Sequence, residues 1–250
     1  MEEKAFWEKR NFIQSVWFEL PEEKRGYPFD IEAVAECGKI ELEEPVTILT
    51  GENGSGKSTI LEAIAVAAGF NPEGGSRNFS FSTCDSHSQL YAYTHLTRGI
   101  YRPKDGYFLR AESFYNVATD IDRMDKELLK SYGGVSLHSW SHGESFLALV
   151  QNRFGGDGLY IFDEPEAALS PVNQLALLRL IHRLVGKHSQ FLISTHSPIL
   201  LSYPYAQVWQ LRREKGRAFE QLPYESTDLF RFYQGFMRAP KKVLDELLKE

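Results

Sequence analysis

The sequence predicts an α/β fold: a mostly parallel central sheet flanked by helices, with an antiparallel β section added. Three observations carry that prediction. Short apolar runs, Val46–Thr50, Leu159–Phe162 and Phe191–Ser194, alternate with helical stretches, as buried parallel strands joined by crossover helices do. A glycine-rich loop, Gly51–Ser58, stands between one such run and a helix. Early strand-like segments and a late hairpin pattern supply the antiparallel part.

In chain order, 12–20 reads as a strand, 21–28 as a turn, and 40–50 as a strand ending in the β-branched run Val46–Thr50. A helix is predicted over Lys57–Ala68, a polar Gly/Ser-rich loop over 71–88, and strands over Leu90–Thr97 and Tyr107–Arg110. Phe114, Val117, Ile121, Met124 and Leu128 give 112–129 helical spacing. A loop follows over 131–140, then a helix over Ser141–Phe154 with the serine as N-cap. Leu159–Phe162 is a buried strand. Pro171–Val185 is an amphipathic helix with the stripe Leu175, Leu178, Ile181, Leu184, and Phe191–Ser194 is another strand. Val208–Leu211 and Ala218–Leu222 flank Glu214-Lys215-Gly216 as a hairpin, and helices near 228–237 and 241–249 complete the pattern.

With 250 residues, one α/β domain over 1–250 is expected. Its parts are a β section at about 10–50, the glycine-rich loop at 51–58, a helical section at 112–154, a strand-rich core at 158–200, and the hairpin and helices at 206–250. The balance of 28 Lys+Arg against 34 Asp+Glu, net −6, argues against a broadly basic nucleic-acid surface. Cys37 and Cys84 form no metal spacing and read as idle thiols in a reducing compartment. No apolar leader follows Met1–Lys4, and the most apolar stretch, Ala63–Ala68, is too short to span a bilayer. A soluble cytoplasmic protein without direct membrane insertion is expected.

Gly51-Glu52-Asn53-Gly54-Ser55-Gly56-Lys57-Ser58 fits G-x-x-x-x-G-K-[ST] at every fixed position. Glycines let successive backbone N–H groups turn inward around a phosphate, and the helix behind them, starting through Thr59, points its positive end at it. Lys57 is placed to reach the β- and γ-phosphates, and Ser58 to ligate Mg²⁺. A chance match in a chain this long is on the order of one per cent. ATP with Mg²⁺ is the expected ligand pair. Asp163 and Glu164 follow the apolar run Leu159–Phe162. In a parallel sheet that end lies beside the phosphate loop. There Asp163 would hold the metal and Glu164 would polarise an attacking water.

These motifs together resemble the ABC-type ATPase superfamily over about residues 40–211, and within it the small soluble ATPases of the SMC-, RecF- and OLD-like branch. Asp163-Glu164-Pro165 resembles the Walker B ending. Ser141-His142-Gly143-Glu144-Ser145, with Ser141 placed 22 residues before Asp163, resembles the signature motif. Ser194-Thr195-His196-Ser197 resembles the switch-histidine loop, and 110–116 a block of that small group. The resemblance implies that Ser141, Gly143 and Glu144 meet the γ-phosphate on an opposite subunit, and that His196 joins Lys57 and Glu164 in catalysis. It departs from the family at His142 and Glu144, where transporters carry Gly and Gln. It departs again at Ser170, which replaces the D-loop Asp. No Q-loop glutamine is evident; Glu112, by position, is its stand-in at the metal.

An aromatic upstream of the loop should carry the adenine. Tyr27 and Phe29 are candidates, with plain packing as the alternative for each. Arg77 and Asn78 read as solvated surface. The basic tip Arg212–Arg217 reads as a solvated turn, with a phosphate-backbone contact as the alternative. The stripe Val243, Leu244, Leu247, Leu248 is expected to pack against the domain. The resulting expectation is a homodimer closed around ATP that drives an unidentified macromolecular partner, in DNA maintenance or defence. Two alternatives are the nucleotide-binding subunit of a membrane transporter and a regulatory protein with negligible turnover. No heptad arm separates phosphate loop from signature, which argues against a full SMC-type role.

Overall fold

The computed structural model describes residues 9–23, 26–76, 88–110 and 142–249. The predicted helix over 112–129, with Glu112, the loop 131–140, Ser141, Arg77, Asn78 and Cys84 lie outside them.

The described strands are β1 (Ile13–Phe18), β2 (Lys39–Glu41), β3 (Val46–Gly51), β4 (Gly75–Ser76), β5 (Thr94–Arg98), β6 (Asp105–Arg110), β7 (Gly158–Asp163), β8 (Gln190–Ser194), β9 (Ala206–Leu211) and β10 (Phe219–Gln221). The α-helices are α1 (Glu32–Glu36), α2 (Lys57–Ala67), α3 (His142–Arg153), α4 (Pro171–Val185), α5 (Pro198–Leu201), α6 (Asp228–Arg238) and α7 (Pro240–Leu247). A seven-stranded sheet runs β10-β9-β3-β8-β7-β6-β4, and a three-stranded antiparallel sheet runs β2-β1-β5. The pairs β3–β8, β3–β9, β7–β8 and β6–β7 are parallel, while β9–β10 and β4–β6 are antiparallel. This is the mixed α/β architecture that the alternation predicts.

The central strands β3, β7 and β8 are buried along nearly their whole length, apolar residues predominating, because both of their faces are covered. In β7, Leu159 and Ile161 join a core with α2, while Tyr160 and Phe162 join another with α3 and α4. Two buried glutamines tie the small sheet to the large one. Gln190 accepts from the backbone N–H groups of Phe12 and Ile13, 2.9 Å each, and donates to the Ile13 carbonyl. Gln207 accepts from Glu43 N–H and donates to the Glu41 carbonyl.

Three local expectations need correcting. The segment 90–97 is a 3₁₀ turn, Gln89–Tyr93, before the short strand β5. Ser88 caps that turn by accepting from Leu90 N–H, which draws the chain away from extended geometry. The segment 40–50 is two strands, because Glu41 pairs with β1 whereas Val46 pairs with β8 and β9. In α4 the buried stripe is Gln174, Leu177, Ile181 and Leu184, and Leu175 points outward.

Candidate functional site

The register of the parallel strands brings the motif residues to one end of the sheet. Leu49 lies opposite Ser194, Ser194 opposite Asp163, and Asp163 opposite Arg110. The loop after β3, the carboxylates after β7 and the histidine after β8 therefore leave from neighbouring carboxyl ends, where open α/β sheets form their ligand crevice.

The loop Gly51–Gly56 leads directly into α2. Gly56 is its N-cap at φ 101°, a left-handed conformation that glycine adopts without a steric penalty. Lys57 is buried, and its Nζ donates to the carbonyls of Gly51 and Glu52, 3.0 Å each. Those bonds hold the ammonium beneath the loop. Burial pushes its pKa down, opposed by the charges of Glu164, Asp163 and Glu166. Ser55 Oγ is buried without a hydrogen-bond partner among the described residues, and Ser58 and Thr59 stand half-buried at the start of α2.

Asp163 is buried and accepts the Ser194 hydroxyl at 2.5 Å. Arg110 Nε lies 3.7 Å from its other oxygen, and Arg110 Nη1 pairs with Glu62 at 2.7 Å. Arg110 thus balances two carboxylates from the next strand. Glu164 sits at φ 50°, ψ 51°, a left-handed backbone in a residue other than glycine, a strain that tends to collect at functional sites. Its N–H reaches both the carbonyl and the hydroxyl of Ser194, 3.1 Å each. His196 Nε2 lies 3.3 Å from Glu164 Oε1, an electrostatic contact without hydrogen-bond alignment, so this ring nitrogen has no hydrogen-bond partner among the described residues. Burial, and then the Lys57 charge, lower the His196 pKa from its ordinary value, with Glu164 opposing. The lowering favours the neutral imidazole.

Two further side chains shape this centre. Glu166 Oε1 accepts the backbone N–H of His196, fixing the loop after β8, and its Oε2 is buried without a partner among the described residues. Burial pushes its carboxyl pKa up. Its place in Asp163-Glu164-Pro165-Glu166 was visible in the sequence, but its bond to a loop thirty residues away was not. Arg213, on the β9–β10 hairpin, donates to the Asn53 carbonyl at 2.7 Å. Arg212 pairs with Asp228 and Glu220, so neither arginine belongs to a freely solvated turn.

Gly143 is buried at the start of α3. A Cβ there would stand 2.8 Å from the Ala168 carbonyl and 3.0 Å from Asn173 Nδ2. The helix thus abuts the segment between β7 and α4 too closely for any side chain. Glu144 is exposed. Tyr27 is 71% exposed with its hydroxyl 3.3 Å from Thr59 Oγ1, whereas Phe29 packs edge-on against Tyr93. Cys37 is buried, its thiol pushed up to about 12 by desolvation. Among the described residues no helix is long and apolar enough to cross a membrane, and no cluster of three or more His, Cys, Asp or Glu side chains is arranged to hold a metal. Hard oxygen donors, the Ser58 hydroxyl and the Asp163 carboxylate, suit an ion such as Mg²⁺ that keeps most of its ligands as water and phosphate.

Two family models match the chain. One, described as "AAA domain", matches residues 29–132, and one described as "AAA domain, putative AbiEii toxin, Type IV TA system" matches 130–202. No curated protein matches the sequence. Among solved structures, an inward-facing ABC transporter of the metal-chelate type is 14% identical at a TM-score of 0.51, covering 89% of this chain and 88% of its own. The SMC head domain from Thermotoga maritima is 16% identical at 0.44, covering 74% and 93%. The cbiO1 subunit of a Clostridium perfringens ABC transporter complex is 18% identical at 0.47, covering 93% and 98%. The phosphate loop thus stands at the carboxyl end of a mostly parallel sheet in a chain that matches AAA-domain models over two adjoining stretches and shares its fold with the metal-chelate-type transporter structure.

Proposed function

We propose that the chain binds and hydrolyses Mg-ATP as an ATP-sandwich dimer whose opening and closing drives a macromolecular partner, on the SMC-, RecF- and OLD-like side of the superfamily. The observation that carries this reading is the convergence of Lys57, Asp163, Glu164 and His196 at adjacent strand ends.

The loop N–H groups and Lys57 would hold the β- and γ-phosphates. Mg²⁺, held by Ser58 and Asp163, would neutralise charge on the phosphate oxygens. Glu164 would take a proton from a water whose oxygen bonds to the γ-phosphorus as the bond to the bridging β–γ oxygen breaks, leaving ADP and phosphate. His196, its Nε2 without a partner among the described residues, would donate to the γ-phosphate. Of the buried polar atoms without a partner among the described residues, Ser55 Oγ and His196 Nε2 are two that a triphosphate would satisfy. Tyr27, exposed beside Thr59, would stack on adenine, while Phe29 packs against Tyr93. Ser141, Gly143 and Glu144 of one subunit would close over the γ-phosphate of the other. The close fit of Gly143 against Ala168 supports the view that the signature helix and the segment after Walker B move together. ADP lacks the bridging phosphate, so hydrolysis would release the pair.

Glu164→Gln removes the proton acceptor and preserves the shape. It is expected to lower turnover at least a hundredfold and to trap a dimer under saturating Mg-ATP, read by phosphate release and light scattering. Wild-type turnover in the variant would remove Glu164 from the reaction. A variant that stays monomeric with ATP, and recruits no partner ATPase, would sink the sandwich.

A further inference from the structure

The two arginines that follow β9 have different partners. Arg212 faces carboxylates, with its Nε 2.8 Å from Asp228 and its Nη1 on Glu220. Arg213 faces none among the described residues. Its Nη2 donates to the carbonyl of Asn53 and lies 2.0 Å from where a Cβ on Gly54 would stand. The guanidinium is thus laid against the tip of the phosphate loop, and a side chain at Gly54 would collide with it. Arg213 also lines a cavity of about 830 Å³ with Gly51, Glu52 and His196.

One bond to a neutral carbonyl leaves the rest of the guanidinium fork open. A phosphate is the chemically matched occupant, because charge-assisted, two-pronged Arg–phosphate contacts are shorter and stronger than a bond to an amide carbonyl. Lys57 approaches the loop from beneath through the Gly51 and Glu52 carbonyls. Arg213 approaches from the hairpin side, in the cavity that His196 shares. That is the side on which the terminal phosphate would lie.

We propose that Arg213 is a ligand for the terminal phosphate of the bound nucleoside triphosphate, supplied in cis by the C-terminal hairpin, and that it leaves the Asn53 carbonyl for that phosphate only when a triphosphate is bound. The proposal rests on the ATP reading above and deepens it. Arg212, the next residue back, holds Asp228 at the first turn of α6, so any movement of Arg213 occurs one residue from the anchor of the C-terminal helices.

The test is calorimetric binding of Mg-AMP-PNP and Mg-ADP to wild type, Arg213→Ala and Arg213→Lys, with Lys57→Ala as reference. Arg213 is exposed, so Arg213→Ala should melt within about a degree of wild type without nucleotide. The alanine variant is expected to lose about tenfold or more in AMP-PNP affinity and less than about twofold in ADP affinity, with lysine restoring part of the loss. Equal weakening of both nucleotides would mean that the bond to Asn53 merely stiffens the loop, and unchanged affinity would mean no phosphate contact; either overturns the proposal. Should wild type bind neither nucleotide, and Lys57→Ala behave the same, the ATP reading itself falls. Loss of binding in Lys57→Ala alone leaves that reading standing whatever Arg213 does.

Discussion

Helix α4 and the pair α6–α7 begin alike and end differently. Ser170 caps α4 by accepting from Asn173 N–H, and Thr227 caps α6 by accepting from Phe230 N–H. Both regions carry an apolar stripe at helical spacing. In α4 the stripe vanishes into the core through Leu177, Ile181 and Leu184. In α6 and α7 no residue is buried, and Leu247 and Leu248 are each 74% exposed. The expectation that Val243, Leu244, Leu247 and Leu248 pack against the domain is therefore corrected. Periodicity establishes that a helix has an apolar face; what covers that face depends on where the chain path leaves it. Leu229 and Phe230 still pack on the core, so α6 is anchored at its start and then departs from the body.

Three substitutions break or sharpen that contrast, from the largest expected effect downward. Leu177→Ala empties a fully buried site in α4 and should cost about 2–5 kcal/mol in urea unfolding; a loss below about 1 kcal/mol would show that the α4 stripe is not a packed core. Glu166→Gln probes a half-buried carboxylate in the turn before α4. Burial raises the Glu166 pKa, so the folded chain binds this proton more readily than the unfolded one. The stabilising protonated form is present below the ordinary carboxylate range and is lost as pH rises through the folded value. The glutamine variant should therefore melt higher at pH 7.5, by about 2–4 °C for each 1 kcal/mol recovered, with the advantage fading toward pH 4. A gain that does not change with pH would remove ionisation as the cause. Leu247→Ala in α7 should shift stability by less than about 0.5 kcal/mol, and a loss comparable to that of Leu177→Ala would mean that α7 is covered after all.

Much of the site was legible because its chemistry is local. The phosphate loop, the strand before Asp163, and α4 opening at Pro171 all follow from neighbours in sequence. The outward face of Leu175, the split of 40–50 into two strands and the turn over 89–93 depend on packing partners or on one capping hydroxyl, and periodicity over a short window cannot resolve them. Glu166 and Arg213 were hidden for a different reason. Each acts on a backbone group far away in sequence, His196 N–H in one case and the Asn53 carbonyl in the other. A charged residue in a loop carries no local mark of such a target.

The order of strands in the large sheet also sets a timetable. β3, which carries the phosphate loop, is paired on both sides by strands encoded far downstream: Val46 meets Phe191 in β8 and Ala206 in β9. During synthesis, Val46–Gly51 emerges with neither edge satisfied and stays so until those segments are made. A chain halted before Gln190 would present a β-branched apolar strand with two open edges, a template for misassociation with other chains. The nucleotide site is thus among the last features this protein completes, and an interrupted product would announce itself by aggregation before it could bind a phosphate.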